Sequence, residues 1–519
     1  MQKMQKKFNI TGLCFPDQHY MADVSKKHEQ TFDLIDKGKY FIINRPRQYG
    51  KTTMLHHIAR TLRAQGDYAV FNCSFEGVGD AFFETEERFT KGFIRLLARQ
   101  IRFENPTLSA FLHTKEAPVN SFDNLSDAIT DIVIQINKKV IVLIDEVDKS
   151  SNNQLFVSFL AVLRNKYLER GDVPTFHSVI LAGLHDVKSL KLKLRPDEEQ
   201  KYNSPWNIAA EYKVDMNLQI AEIVPMLEEY KTDKNVAMNT HEIAEHLFYY
   251  TSGYPFLVSK LCKILDEDYK KHDIWTKNDI EIAVKQLVRE NNTNFETLSK
   301  NIQNNQALYD LVYKVAIDGE SIALRWANPT INFGILYGIF ANNTDTLKIH
   351  NRIYSEVLVD TMSSDLEVKG YAHNNIARLY KYADGTLNMQ SVMLGFQEFM
   401  KKEYNKKDRD FLEKNGRLVF LAFIKPIING EGYDFKEVEI SEEKRLDIVV
   451  THRTKKYVIE LKIWYGAEAH ERGLAQLSDY LDRQKLTDGY LLIFDHSKIK
   501  KWKSEEIVFE NKKIFAAWV

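Results

Sequence analysis

The chain has 519 residues, and 71 lysines and arginines against 72 aspartates and glutamates give a formal charge of −1. With 44% hydrophobic and 28% charged residues and only 11 prolines, it is neither a disordered nor a collagen-like polymer. It is also too long for one core of roughly 100–200 residues, and its neutrality means that any polyanion partner must be met by a local patch. Its three cysteines, Cys14, Cys73 and Cys262, are widely spaced, which excludes a disulfide framework or a four-sulfur zinc site. The start MQKMQKKFNITG lacks the apolar run of a secretory leader. Runs such as VIVLI at 140–144 are strand-sized, far short of the ~20 residues that cross a bilayer. A cytoplasmic, multidomain α/β protein with no membrane partner is expected.

In chain order, KYFIIN (39–44) reads as a strand and TTMLHHIARTLRAQG (52–66) as a helix ended by Gly66. DYAVFNCSF (67–75), KKVIVLIDEVD (138–148) and TFHSVILAGL (175–184) read as further strands. Strands separated by helices imply parallel pairing in a sheet covered on both faces. From 217 to 287 the pattern is helical, broken by TSGYP at 251–255. From 290 to 365 helices precede FGILYGIFANNTDTLKIHNRIYSEVL, where two strand-like pieces flank NNTD (342–345), as in a helical module with a β-wing. The charged KKEYNKKDRD (401–410) follows, its lysines read as a solvated linker helix or as a path for DNA. An α/β pattern then resumes, with strands near 435–441, 445–451, 456–463 and 489–495 and a helix over 468–484.

The first chemical constellation is Arg45-Pro46-Arg47-Gln48-Tyr49-Gly50-Lys51-Thr52-Thr53, between a strand and a helix. Gly50 lets successive amide hydrogens face a phosphate at the positive end of the next helix. Lys51 would bridge terminal phosphate oxygens, and the Thr52 hydroxyl would ligate Mg²⁺. The usual pattern has a glycine where Arg45 stands. A hydrophobic strand ending in Asp145-Glu146 sets acids at the carboxyl edge of the sheet, where nucleotides bind in open α/β folds. Asp145 would hold Mg²⁺ through water, and Glu146 would orient or deprotonate the attacking water. Taken singly, the two motifs also read as a capped helix start and a strand-end turn.

YFIINRPRQYGKTT, VIVLIDEVD, FHSVILAGLHDVKSL, YNSPWNIA and TSGYPFLVSKLC together resemble the AAA-ATPase-like family, close to the archaeal-ATPase and STAND groups of P-loop ATPases. The resemblance spans about 8–365, and RPRQYGKTT is itself a trait of that family. It implies that ATP is the cofactor, bound by residues 47–53 and Asp145. It also implies a sensor strand ending at Ala182-Gly183, a helical lid around Gly253-Tyr254-Pro255 and a winged helix over 290–365. Arg164 and Arg195 are the candidate arginine fingers, each with an alternative as a surface or packing arginine. Related ATPases often assemble so that one subunit completes another's site, which makes a homo-oligomer an expectation.

The second constellation is RLDIVVTHRTKKYVIELK (445–462), two β-branched runs about a turn-like THRTKK. A turn centred between Arg453 and Thr454 pairs Asp447 with Glu460, and opposed residues share a face. Glu460 and Lys462 also point the same way. Two carboxylates side by side are costly without a cation. Mg²⁺ held by Asp447, Glu460, the Leu461 carbonyl and water is therefore the expected occupant, with Mn²⁺ as its alternative. Lys462 would position water or steady charge on a phosphate. Gln476 and Tyr480 lie four apart on one face of the following helix. A surface salt-bridged hairpin is the alternative reading.

The pattern Asp447…Glu460-Leu461-Lys462 with Gln476 and Tyr480, together with FLAFIKPIINGEG, GLAQLSDYLD and GYLLIFD, looks like the PD-(D/E)XK nuclease superfamily over about 411–496. That resemblance makes all five catalytic candidates apart from the Leu461 carbonyl ligand, and points to Glu413 as a further acid. The expected domains are a P-loop core (1–215), a helical lid (216–288), a winged-helix-like module (289–365), a helical linker (366–410) and a nuclease-like domain (411–519). The expected function is an ATP-regulated, metal-dependent nuclease acting on nucleic acid, with DNA the favoured partner, in defence against foreign DNA. The alternatives are an ATP-switched DNA-binding regulator with a silent nuclease fold, or a C-terminal protein-interaction module. His177, His185 and His350 have no metal-ligand spacing and are expected to make structural hydrogen bonds. KIHNRIY (348–354) reads as a wing contact to phosphate or a solvated strand.

Overall fold

The computed structural model describes the chain apart from residues 1–4, 151–153, 184–205, 269–272, 291, 318–319, 369–379, 383, 405–415, 417, 425–426, 428–446, 453–454, 465–466 and 496–501. It divides into two compact units, Met1–Ala283 with Phe333–Gly338, and Val284–Asn332 with Ile339–Val519.

In the first unit, the β-branched runs form β1 (Phe41–Asn44), β2 (Tyr68–Ser74), β3 (Lys139–Asp145) and β4 (Ser178–Gly183). They pair in parallel in the order β1-β4-β3-β2. Val140–Ile144 and Val179–Ala182 are buried throughout, as a sheet covered on both faces requires. Around it lie α1 (Ser25–Asp36), α2 (Lys51–Gln65), α3 (Glu86–Ile101), α4 (Pro106–Glu116), α5 (Phe122–Ile136) and α6 (Gln154–Leu168). Phe75, Phe89, Phe93, Phe156 and Phe159 fill the core with Trp206, each side chain contributing roughly 1.5–3 kcal/mol by burial. Because all four strands run the same way, the loops leaving β1 and β3 emerge at one sheet edge, and β4 lies between them.

Three helices of the helical stretch in this unit are α7 (Ile220–Lys234), α8 (Thr240–Thr251) and α9 (Pro255–Glu267). The turn between the last two needs glycine. Gly253 has φ +74°, and a Cβ there would stand 2.0 Å from the Leu218 carbonyl oxygen. The N-terminal segment is tied to these helices by a ring cluster of Phe8, Tyr20, Tyr230 and Trp275. Lys27 of α1 adds an ion pair with Glu222 and donates to the Asn217 carbonyl at 2.7 Å.

In the second unit, α10 (Lys277–Arg289) leads from the first unit into α11 (Thr293–Gln303) and α12 (Gln306–Ala316). Next comes α13 (Pro329–Leu336), whose end returns to the first unit, then α14 (Arg352–Val368). Antiparallel bridges join Ala323 to Thr346 and Phe340 to Ile349, on either side of the NNTD turn. After α15 (Met389–Tyr404), a second sheet contains β5 (Asp447–His452), β6 (Lys455–Ile463), β7 (Asp488–Phe494), β8 (Ser504–Phe509) and β9 (Lys512–Trp518) in the order β5-β6-β7-β9-β8. Leu474, Leu477 and Leu481 of α16 (Ala467–Arg483) cover it through Val449, Val458, Leu491 and Ile493. The expected strand at 435–441, and 405–410 of the charged segment, lie outside the described residues.

Candidate functional site

The loop between β1 and α2 shows why Arg45 replaces glycine. Arg45 is not among the residues with positive φ, whereas Gln48 (φ +60°) and Gly50 (φ +75°) are. The left-handed turns this loop requires therefore fall elsewhere, and position 45 needs no glycine. The Arg45 guanidinium is turned out of the loop. It donates to the carbonyls of Asn44 at 2.9 Å and Val214 at 2.8 Å and lies over the Tyr212 ring.

Lys51 begins α2 and is buried. Its Nζ donates to the carbonyls of Arg45 and Pro46, each at 2.9 Å, so the ammonium sits inside the curl of the loop. Burial pulls its pKa below the ordinary lysine range, against the raising effect of Glu146, Asp148 and Asp145. Thr52 Oγ1 donates to Asp145 Oδ2 at 2.6 Å. The motif from the helix and the acid from the strand end are thus one constellation, and both oxygens are hard donors of the kind Mg²⁺ takes. Asp145 is buried and receives the Glu146 amide at 2.9 Å on its other oxygen. Glu146 stands at φ +54°, uncommon for a residue with a side chain. Burial, then the charge of Asp145, raises its pKa, with Lys51 opposing.

The remaining loop residues divide by environment. Arg47, Gln48 and Gly50 are exposed at the loop's rim. Tyr49 is buried and donates to Asn217 Oδ1 at 2.8 Å. Thr53 Oγ1 accepts the Cys14 amide at 3.3 Å.

Sequence reasoning missed several participants. Tyr254 donates from its hydroxyl to the Arg47 carbonyl at 2.6 Å and meets the Tyr49 ring edge-on at 4.4 Å. Asp148 stands against Gly183, where a Cβ would come within 2.9 Å of its carboxylate. The GYP turn signalled Tyr254. No sequence signal marks Asn217, which reaches the loop from a distant segment. Of the arginine candidates, Arg164 is half-buried and donates to Asn207 Oδ1 at 2.9 Å, while Arg195 lies outside the described residues.

In the second sheet, the antiparallel ladder sets Asp447 directly opposite Glu460, the register expected from the turn. Glu460 is buried, with 2% of its side chain exposed, and pairs with Lys462 Nζ at 2.5 Å. Lys462 also donates to Gln476 Oε1 of α16 at 2.8 Å. Gly473 permits that approach, since a Cβ there would stand 3.0 Å from Lys462 Cε. The structure therefore brings Glu460, Lys462 and Gln476 together. Leu461 is buried in register with Leu492, and Tyr480 packs on the apolar cluster beneath α16. Among the described residues no group of three or more His, Cys, Asp or Glu able to hold a metal ion is present. Glu413 and His185 lie outside the described residues. His177 bonds to the Asp36 carbonyl at 3.3 Å and His350 to the Asn351 side chain at 3.1 Å. No helix among the described residues is long and apolar enough to cross a membrane.

A parallel sheet whose strand edges carry a Gly-Lys-Thr loop and a bonded acid resembles that of the P-loop ATPases. The model of the AAA-like domain family matches residues 16–356, and the chain belongs to that family. Solved structures similar to it include the Walker-type ATPase PABY2304 of Pyrococcus abyssi (15% identity, 68% of this chain and 99% of that one, TM-score 0.45). They also include the Aeropyrum pernix ORC2 protein in its ADP form (14%, 66% and 93%, TM-score 0.34). A third is the Thermotoga maritima RuvB Holliday junction branch migration motor (12%, 65% and 95%, TM-score 0.33). No curated protein matches the chain.

Proposed function

We propose that the chain binds and hydrolyses ATP at the loop of residues 45–53, and that its nucleotide state governs a metal-dependent nuclease site in the second sheet. The observation that carries the first half is the Thr52–Asp145 bond, which brings both motifs to one sheet edge beside Lys51. In this reading the Lys51 ammonium leaves the Arg45 and Pro46 carbonyls for phosphate oxygens, aided by the α2 N-terminus. Thr52 and Asp145 would hold Mg²⁺, which when bound offsets charge on the phosphates. Glu146, its pKa raised by burial and by Asp145, orients and deprotonates the attacking water.

For the second half, the register of Asp447 on Glu460 and the Lys462–Gln476 contact support a PD-(D/E)XK-like arrangement. Asp447, Glu460 and the Leu461 carbonyl would hold Mg²⁺ or Mn²⁺, which when bound lowers the pKa of coordinated water. Lys462 and Gln476 would position that water, with Tyr480 supporting the helix face. The proposed organisation is a core with a helical lid, a winged-helix-like module, a linker and this nuclease-like domain, acting on nucleic acid and above all on DNA. Defence against foreign DNA is the biological setting this architecture suggests.

One observation favours a second reading. Lys462 already compensates the buried Glu460 charge, so that carboxylate needs no added cation, which suits a silent, DNA-binding regulator. The deciding experiment incubates the chain with linear, circular and single-stranded DNA and with RNA, under Mg²⁺ or Mn²⁺, with and without ATP. The nuclease reading expects cleavage that Asp447→Ala abolishes. Cleavage persisting in Asp447→Ala removes the assignment. ATP turnover unchanged by Lys51→Ala removes the nucleotide half.

A further inference from the structure

We propose that Tyr337 and Gly338 are positioning residues of the nucleotide loop, holding Pro46 directly and Arg47 through Tyr254. This deepens the ATP-binding reading above and rests on it. The segment Phe333–Gly338 is flanked on both sides by residues of the second unit yet belongs to the first. Its helix, α13, ends there. Tyr337 and Gly338 donate their amides to the carbonyls of Phe333 at 3.1 Å and Ile335 at 2.9 Å, and Gly338 turns at φ +73°.

That turn presses the backbone on the loop. A Cβ at Gly338 would stand 2.9 Å from Pro46 Cγ, 3.1 Å from Pro46 Cβ and 3.7 Å from the Tyr254 ring. Tyr254 in turn holds the Arg47 carbonyl, and Pro46 supplies one of the two carbonyls that Lys51 occupies. Tyr337 is half-buried, and its ring lies tilted against that of Phe333, with centroids 4.4 Å apart. Burial raises its phenol pKa, as does the charge of Asp148, with Arg47 opposing. The segment therefore packs on the loop through Pro46 and Tyr254 and lies within the electrostatic reach of Asp148. One residue further on, Ile339 starts the stretch whose Ala341 and His350 amides donate to Lys348 at 3.0 Å and Ile339 at 2.8 Å. A nucleotide that fixes Pro46 is thereby expected to be felt at Phe333–Gly338, the segment that packs on it.

The test uses the full chain, a fluorescent ATP analogue, ATP turnover and hydrogen exchange over 333–338. In wild type, ATP is expected to slow exchange across this stretch, and Lys51→Ala to abolish both binding and the change. Gly338→Ala, strained by its φ and by Pro46, is expected to weaken nucleotide binding about tenfold and to uncouple exchange from ATP. Pro46→Ala, which removes the contacted Cγ without straining Gly338, is expected to keep the melting temperature while uncoupling exchange. Tyr337→Phe is expected to lower kcat more than it raises KM. Wild-type affinity, turnover and exchange in both Gly338→Ala and Pro46→Ala would overturn the positioning role while leaving the ATP reading intact. If Gly338→Ala does not fold, a wild-type exchange response in Pro46→Ala overturns it alone. Absence of nucleotide binding by wild type would sink the ATP reading and this inference with it.

Discussion

Glu146 and Gln48 hold left-handed backbone conformations where glycine is the easier residue. Such positions cost on the order of 1–3 kcal/mol and persist where the surroundings over-determine them. For Glu146 the proposed function gives the constraint a use, since its carboxyl of raised pKa is the one that would take a proton from water. Glu146→Gln is therefore expected to retain ATP binding while turnover falls about 10²–10⁴-fold, read by binding of a fluorescent ATP analogue against phosphate release. Gly253 is constrained in the opposite sense, since its carbonyl-facing side has no room for a methyl group. Gly253→Ala should lower stability by about 2 kcal/mol or more, measured by urea denaturation; an unchanged midpoint would contradict the close packing on Leu218. At this scale GKTT and the Asp-Glu pair were legible because their chemistry is local. The tolerance of Arg45 was not, since it depends on which neighbouring residue takes the positive φ.

Among the elements, the β5–β6 hairpin was readable to the register because its turn centre fixes every pair along both strands. The hairpin of β8 and β9 went unanticipated. Its edge strand is largely exposed and carries no apolar alternation, and its two-residue turn uses Glu510 and Asn511 at positive φ rather than the Asn-Gly pair that announces such turns. The packing of α16 on β6 yields a prediction that separates structure from catalysis. Lys462→Ala leaves the buried Glu460 carboxylate without its cation and should cost about 3–5 kcal/mol. The double variant Glu460→Gln with Lys462→Met should recover most of that loss, although any cleavage stays abolished. Denaturant titration of the three proteins checks this, and equal stability of wild type and Lys462→Ala would show that the ion pair carries no weight.

Across the whole molecule, acid sensitivity is built in through neutral histidines. Burial, aided by the stacked His57 and opposed by Asp23, pushes His28 of the first unit down to about 4 from an ordinary 6.5. Burial alone takes His350 of the second unit to about 4 from the same value. Both folded-state values are depressed, so the unfolded chain binds these protons first. Their contribution is fully present above about pH 6.5 and is lost as pH falls through 4, and for His350 the loss totals about 3 kcal/mol once both states are protonated. Denaturant midpoints should thus decline between pH 7 and 4.5, and His350→Gln, which cannot take up the proton, should flatten the decline; an equally steep slope in that variant would refute the assignment.

What the sequence determined by itself was everything carried by local order: the alternation of strand and helix that makes the first sheet parallel, the Gly-Lys-Thr turn between β1 and α2, and the turn-centred pairing of Asp447 with Glu460. Tertiary structure alone decided which distant side chains complete those motifs. Asn217 and Tyr254 on the loop, Asp148 beside Gly183, Gly338 against Pro46 and Gln476 on Lys462 are contacts between segments far apart in the chain. No period or spacing encodes such contacts, because they arise only when separate elements bury their apolar faces and bring unrelated residues within bonding distance.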